Sequence, residues 1–309
     1  MMRGDPFIRN SFLTNIGNKK MLNKKDGTNM QDQTQPLKVF WQPGCSSCLK
    51  TKEFLLDHGM AFQSINVLED KAGLEELKRL GIQLVPVVAR GNSWANGAVF
   101  RDVAKVAGFE YGAHKMLPPQ ELKDKVIMIL KATSRYLRQI PDEKLDEVLP
   151  GRPRSYRQLV YHVFTIPKVF LDRVENDSVY TYESLKSILP EDMKSRESLI
   201  DYGQSTRKRF EKWWDKAGIT TDFHQPGNVY YGEVNLHEVL ERTCWHSGQH
   251  TRQIILLLRK KLNVEPNGVL TDADFSGLPM PKNVWDNERS FDEAAYSETA
   301  ETWKNTKTH

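Results

Sequence analysis

Two sulfurs at one end of this chain and a set of imidazoles at the other are the groups whose types and spacing could do chemistry. Cys45-Ser46-Ser47-Cys48 follows the apolar run Val39-Phe40-Trp41 after one short turn and runs directly into a stretch of helical pattern. That is the layout of a dithiol redox site. A thiolate attacks a disulfide, and Cys45 at the first turn of a helix would meet backbone N–H donors and the positive end of the helix dipole. Cys48, one turn further in, is placed to resolve a mixed disulfide. Downstream, Val85-Pro86-Val87-Val88 supplies a proline suited to a cis bond facing such a site, with Val85 and Pro86 exposing backbone for substrate pairing. A zinc half-site and a stray C-x-x-C are the alternatives. Zinc would need two further ligands, and the one nearby histidine, His58, lies at the far end of the helix.

His246-Ser247-Gly248-Gln249-His250 sits inside the strongest helical pattern of the chain. Residues four apart differ by about 40° around a helix, so His246 and His250 leave one face and can reach one divalent ion. A catalytic metal site asks for a third protein ligand and an open position. His162 is the best candidate, because it lies mid-helix in the apolar segment Val160-Tyr161-His162-Val163-Phe164 and should point inward. His237 and Cys244 project to other sides, about 180° and 200° away from His246. His114, His224 and His309 fall in predicted loops or tail. Core or surface histidines without metal are the alternative reading of the pair. Trp41, Trp94 and Trp245 read as packing residues. On the sequence, the dithiol and the histidines are two separate candidate sites.

The elements that must position these groups follow from periodicity and punctuation. Strands are predicted at Leu37–Trp41, Phe62–Val67 and Pro86–Ala89, with helices at Ser46–His58, Lys71–Leu80 and from Asp102 to Ala107. This β-α-β-α-β…α order is an α/β unit of thioredoxin type. Gly112 to Pro119 suits a linker. Strand signals then nearly vanish, and long helices are predicted within 120–140, 155–174, 190–217 and 235–262. In the last, Asn235 is the N-cap and Glu238, three residues on, opens like a capping box. Four long helices argue for a bundle.

Length and composition bound the possibilities. The 309 residues suggest two domains plus tails: a disordered N-terminal tail at 1–34, the α/β domain at 35–110, the bundle at 117–285 and a polar tail at 286–309. The tail at 1–34 is basic and asparagine-rich without an apolar core, which argues against a secretory signal and leaves a transit peptide as the alternative. A net charge of +4 is too small to argue for nucleic acid or a membrane surface. Ile254–Leu258, the longest late apolar run, cannot cross a bilayer. Three cysteines, two of them in C-x-x-C, point to a reducing, cytoplasmic setting.

Residues 36–109 resemble the glutaredoxin family in Val39-Phe40-Trp41-Gln42-Pro43-Gly44-Cys45-Ser46-Ser47-Cys48, Val85-Pro86-Val87-Val88 and the Asn96-Gly97 turn. The resemblance implies Cys45 as nucleophile and Cys48 as resolving thiol. Gln42 replaces a common basic residue, and Trp94-Ala95-Asn96-Gly97 stands where a glycine pair and an acid often bind glutathione. That stretch looks closer to the glutaredoxin-like hydrogen donors of ribonucleotide reductase. The implied electron source is therefore thioredoxin reductase, with glutathione or another low-molecular-weight thiol as the alternative. Residues 117–285 resemble the DinB-like family in Leu159–Phe164, in Leu236–Arg242 with Trp245–Ile254, and in Leu278-Pro279-Met280-Pro281. That resemblance implies a four-helix bundle holding a divalent metal (zinc, nickel or iron) on His162, His246 and His250. It further implies a thiol-dependent transferase acting on an electrophilic small molecule. The plain alternative is a thiol-disulfide oxidoreductase whose bundle binds or senses. An exposed face of the bundle is compatible with a homodimer.

Overall fold

The computed structural model describes residues 34–112, 114–186, 188–191 and 193–286; the expected tails at 1–34 and 286–309 lie almost wholly outside them. The first region is a four-stranded sheet of β1 (Lys38–Trp41), β2 (Gln63–Asn66), β3 (Val87–Arg90) and β4 (Ser93–Asn96), in the order β2-β1-β3-β4. β1 pairs parallel with β2 and antiparallel with β3, and β3 pairs antiparallel with β4. Helices α1 (Ser46–Asp57), α2 (Lys71–Arg79) and α3 (Phe100–Ala107) cover it. Successive strand residues face opposite ways, so Val39 packs with Leu55 and Val103 on one face while Phe40 packs with Leu77 and Ile65 on the other. Both faces are buried, as the thioredoxin-like expectation requires. β4 was not foreseen: Ser-Trp-Ala-Asn is too short and too polar to show a two-residue period.

The second region is a bundle of α4 (Pro119–Leu137), α5 (Tyr156–Asn176), α7 (Arg196–Lys216) and α8 (Leu236–Lys260), with a short α6 (Tyr182–Leu185) beside α5. The capping box at Asn235 and Glu238 is present. An unexpected hairpin, β5 (Val148–Leu149) and β6 (Arg152–Ser155), precedes α5; its Arg-Pro-Arg sequence carries no apolar alternation. Gly203 lets α7 approach α5, because a Cβ there would meet the Phe164 ring at 2.5 Å. Pro167 inside α5 has no N–H to offer the carbonyl of Val163, and the Ser247 hydroxyl of α8 turns to that carbonyl at 3.5 Å.

α8 is the structural hub. It is buried on nearly every side, yet it carries Thr243, Ser247, Gln249, His250, Thr251 and Gln253. Buried polar groups must be hydrogen-bonded. Thr251 meets Thr133 of α4 at 2.8 Å, and Gln249 donates to the carbonyls of Asn283 and Val284 at 3.0 Å. His250 turns toward α1, as does the charged Arg242.

A composite dithiol and histidine centre

Cys45 is the N-cap of α1, with extended backbone, and its sulfur accepts the Cys48 N–H at 3.2 Å. The two cysteines are joined as a disulfide with Cα atoms 5.2 Å apart. The left-handed conformation at Gly44, φ 65°, makes the preceding turn. A Cβ at Gly44 would also press on the Trp285 ring at 3.2 Å, while the Arg152 side chain would lie in ordinary contact at 3.5 Å. The Val85–Pro86 bond is cis, and the Pro86 carbonyl accepts the Gly97 N–H at 2.9 Å. Thr51 ties α1 to the same turn by donating to the carbonyls of Ser47 and Gly97, both at 2.8 Å.

His162, His246 and His250 converge from α5 and α8, with one ligand nitrogen from each lying within 4.8 Å of the others. All three are buried. Burial holds each well below the usual histidine range; Arg154 adds most to this at His162 and His250, and Arg242 at His246. The rings are therefore neutral, which is the form that ligates metal. His250 Nδ1 lies 2.7 Å from Gln253 Oε1, and the Gln253 amide nitrogen donates to the Val284 carbonyl at 3.3 Å. That fixes the proton on Nδ1 and turns the Nε2 lone pair into the site.

Nε2 of His250 and Nε2 of His246 are 3.2 Å apart, close to the ~3.3 Å between two nitrogens on a tetrahedral ion with bonds of ~2.0 Å. Without an ion, His246 must donate one proton across this gap, and its Nδ1 is buried with no partner. That orphaned nitrogen and the three neutral imidazoles fit a divalent transition metal.

The two candidate sites are not separate. Ser46, inside the C-x-x-C, places its hydroxyl 3.3 Å from His250 Nε2, and Ser47 accepts from Arg242 Nη2 of α8 at 3.1 Å. Both serines are buried, as is Cys48, while Cys45 keeps partial exposure. A strap at 281–286 fastens this junction. Glu53 of α1 accepts from the backbone of Lys282 and Asn283 at 2.7 and 2.9 Å, while α8 holds the same strap through Gln249, Arg252 and Gln253. On the other side Arg101 pairs with Glu238 at 2.7 Å.

Beside the junction lies a cavity of about 420 Å³ whose walls include Ser47, Lys50, Tyr231, Glu241, Arg242 and Trp245. Lys50 Nζ sits 4.2 Å over the Trp245 ring and 5.1 Å over Phe100. Burial pushes it down to about 7; the nearby Glu241 opposes this and Arg242 adds to it.

Sequence reasoning missed several of these residues. Gln253 was findable, since three residues beyond His250 is the same helix face. Trp245 packs, but it also walls the cavity. His114, read as an ordinary loop residue, meets Glu241 at 2.9 Å. Arg152, Arg154 and Arg242 gave no local signal. Cys244 is buried, and burial pushes its thiol up, consistent with a structural role. His237 bonds the Leu117 carbonyl at 2.8 Å, away from the triad.

Residues 37–94 match the glutaredoxin family and residues 129–254 match the DinB superfamily. The chain therefore joins a glutaredoxin region to a DinB region in that order, with a thioredoxin-like fold followed by a helical bundle. These matches support a thiol redox role, and the DinB match is one to a family generally associated with metals. No curated protein and no solved structure matches the chain. Among the described residues, no helix is long and apolar enough to cross a membrane.

Proposed function

We propose that the chain is a two-domain thiol enzyme, with domains at 35–110 and 117–285, in which Cys45, Cys48 and the histidine triad act as one centre. The reaction is the transfer of a low-molecular-weight thiol to an electrophilic small molecule. The contact between Ser46 of the C-x-x-C and His250 at 3.3 Å carries this reading, because it sets the dithiol beside the histidines. His162, His246 and His250 would hold the divalent metal, which supplies a positive charge that favours thiolate over thiol.

The chain's own residues do the rest. Gln253 keeps the His250 lone pair aimed inward. After reduction, a Cys45 thiolate is met by the Cys48 N–H and the α1 N-terminus. It attacks the disulfide form of the thiol, RSSR, and expels one RS⁻. Cys48 then attacks the mixed disulfide, expels the second RS⁻ and closes the Cys45–Cys48 bond, so two electrons pass from the dithiol to RSSR. The released thiol forms a carbon–sulfur bond with the electrophile, whose leaving group or added proton balances the charge. A protein reductant of thioredoxin reductase type supplies the two electrons that restore the dithiol. Val85 and Pro86 are proposed to line the thiol's path.

The test pairs elemental analysis with assays of disulfide reduction and of transfer to 1-chloro-2,4-dinitrobenzene, the thiol being supplied as its disulfide RSSR together with the protein reductant. Cys45→Ser is expected to slow turnover at least 10-fold while its metal content stays as in wild type. Unchanged turnover in that variant refutes the coupling. Disulfide reduction indifferent to chelators and to His246→Ala would identify a plain oxidoreductase with the bundle as a binding module.

A further inference from the structure

Three arginines stand around the junction of disulfide and histidines, and among the described residues none is paired with an acid. Arg152 and Arg154 lie two apart on β6, so they leave the strand on one side, and β6 runs directly into α5 with its His162. Arg152 reaches the Gly44 turn before Cys45. Arg242, one turn before His246, donates Nη2 to Ser47 at 3.1 Å, and its Nε and Nη1 are buried without partners. Arg154 and Arg242 are 9% and 7% exposed, more than nine-tenths buried. The arginine charges act on the three histidines, and no carboxylate acts on Arg152 or Arg154. Among the described residues, the acids of α8 near Arg242 are committed elsewhere: Glu238 to Arg101 and Glu241 to His114.

Buried guanidiniums without counter-ions are destabilising, and neutral imidazoles offer no compensation. The rings of Tyr231 and Trp245, 4.8 and 5.3 Å from the Arg242 guanidinium, offset only part of this at Arg242. A divalent cation on the triad would deepen the excess of positive charge. The arrangement asks for a negatively charged occupant. Arg152 and Arg242 stand at opposite ends of the C-x-x-C, at Gly44 and at Ser47, so the charge must be spread over more than one group. Guanidinium forks match carboxylates in two-point contact. The cavity of about 420 Å³ has Ser47 and Arg242 in its wall, so it gives room for a small molecule on the Arg242 side of the site; Arg152 and Arg154 stand outside that wall.

We propose that Arg152, Arg154 and Arg242 recognise a small organic dianion of the dicarboxylate class, holding its reactive part over Cys45 and the histidines. That this dianion is the thiol or the electrophile rests on the proposed function above; its binding does not.

Calorimetric titration of the full-length oxidised protein, which cannot turn over, tests the site with succinate, acetate, succinamide and inorganic phosphate. Succinate is expected to bind at least 10-fold more tightly than acetate, with no heat from succinamide. Arg154→Gln and Arg242→Gln should each weaken succinate binding 10-fold or more, with folding checked by circular dichroism. Arg152→Gln, at a residue with partial exposure, supplies the same test if a buried variant does not fold. Equal binding of succinate and succinamide, or unchanged affinity in the folded variants, overturns the proposal. Phosphate binding more tightly than succinate overturns the dicarboxylate class. Succinate binding retained where thiol transfer is absent would count against the proposed function alone.

Discussion

The dithiol and the histidine triad are built by opposite strategies. Cys45 and Cys48 are neighbours in sequence, placed by a single helix start, a glycine turn and a cis-proline strand. The triad draws on α5 and α8, more than eighty residues apart by numbering (162 against 246), and exists only once the bundle packs. One site is local and rests on backbone donors; the other is assembled and rests on neutral side chains in a dry interior. Each lacks what the other has. The dithiol brings electrons and no imidazole, whereas the triad brings three converging imidazole nitrogens and no sulfur. Their contact through Ser46 and Ser47 joins the two, and it is made by residues that do no chemistry in a dithiol motif of their own.

The sharpest way to break this comparison is to remove the assembled half. His250→Ala deletes the nitrogen shared by the His246 contact and the Ser46 contact. Metal content is expected to fall from about one equivalent to below about a tenth, since two imidazoles bind weakly. The number of titratable thiols after reduction should not change. Full metal occupancy in the variant would show that the triad is not the seat, and a changed thiol count would show that the dithiol depends on it for its formation.

Lys50 tests the seam between the regions through pH. Its pKa is about 7 when folded and ~10.4 unfolded, so between those values the unfolded chain holds a proton that the folded chain lacks. Stability then rises with pH across that window, by about 1.4 kcal/mol per unit and about 5 kcal/mol in all. Below about pH 7 the penalty of the buried charge is present in full. Lys50 keeps some exposure to the cavity, so these figures are upper bounds. Lys50→Met should be more stable than wild type at pH 7, with the gap closing by pH 10, as read from denaturant midpoints. A gap that does not change with pH would mean that the seam leaves Lys50 hydrated.

How much of this was legible follows the same division. The dithiol, its helix, the three principal strands and the capping box on α8 could be read locally, because each rests on turn chemistry or a short period. The inward aim of His162 was legible as a polar residue in an apolar run. Two features were not. β4 and the β5–β6 hairpin have no alternation to detect, so Arg152 and Arg154 carried no signal. The seam was invisible because Ser46, Ser47 and Arg242 are ordinary helix residues until two folded units meet. No propensity or period encodes a contact between Ser46 and His250, 204 residues apart.

Gln253 sharpens the comparison with the smallest effect. It belongs to the assembled site but also holds the strap that fastens α1, accepting from His250 Nδ1 at 2.7 Å and donating to Val284 at 3.3 Å. Replacing it with Met keeps volume and removes both bonds. Outer hydrogen bonds to a metal-ligating histidine are worth about 10- to 100-fold in metal affinity, so chelator competition should read a loss in that range. If the strap also transmits the loss to the dithiol, the Cys45–Cys48 bond should become more readily reduced by small thiols, because Glu53 then holds α1 to a loosened segment. A metal affinity unchanged within 2-fold would mean that the His250 tautomer is set by the ion alone. An affinity loss without faster reduction would confine Gln253 to the triad and leave the seam to Ser46, Ser47 and Arg242.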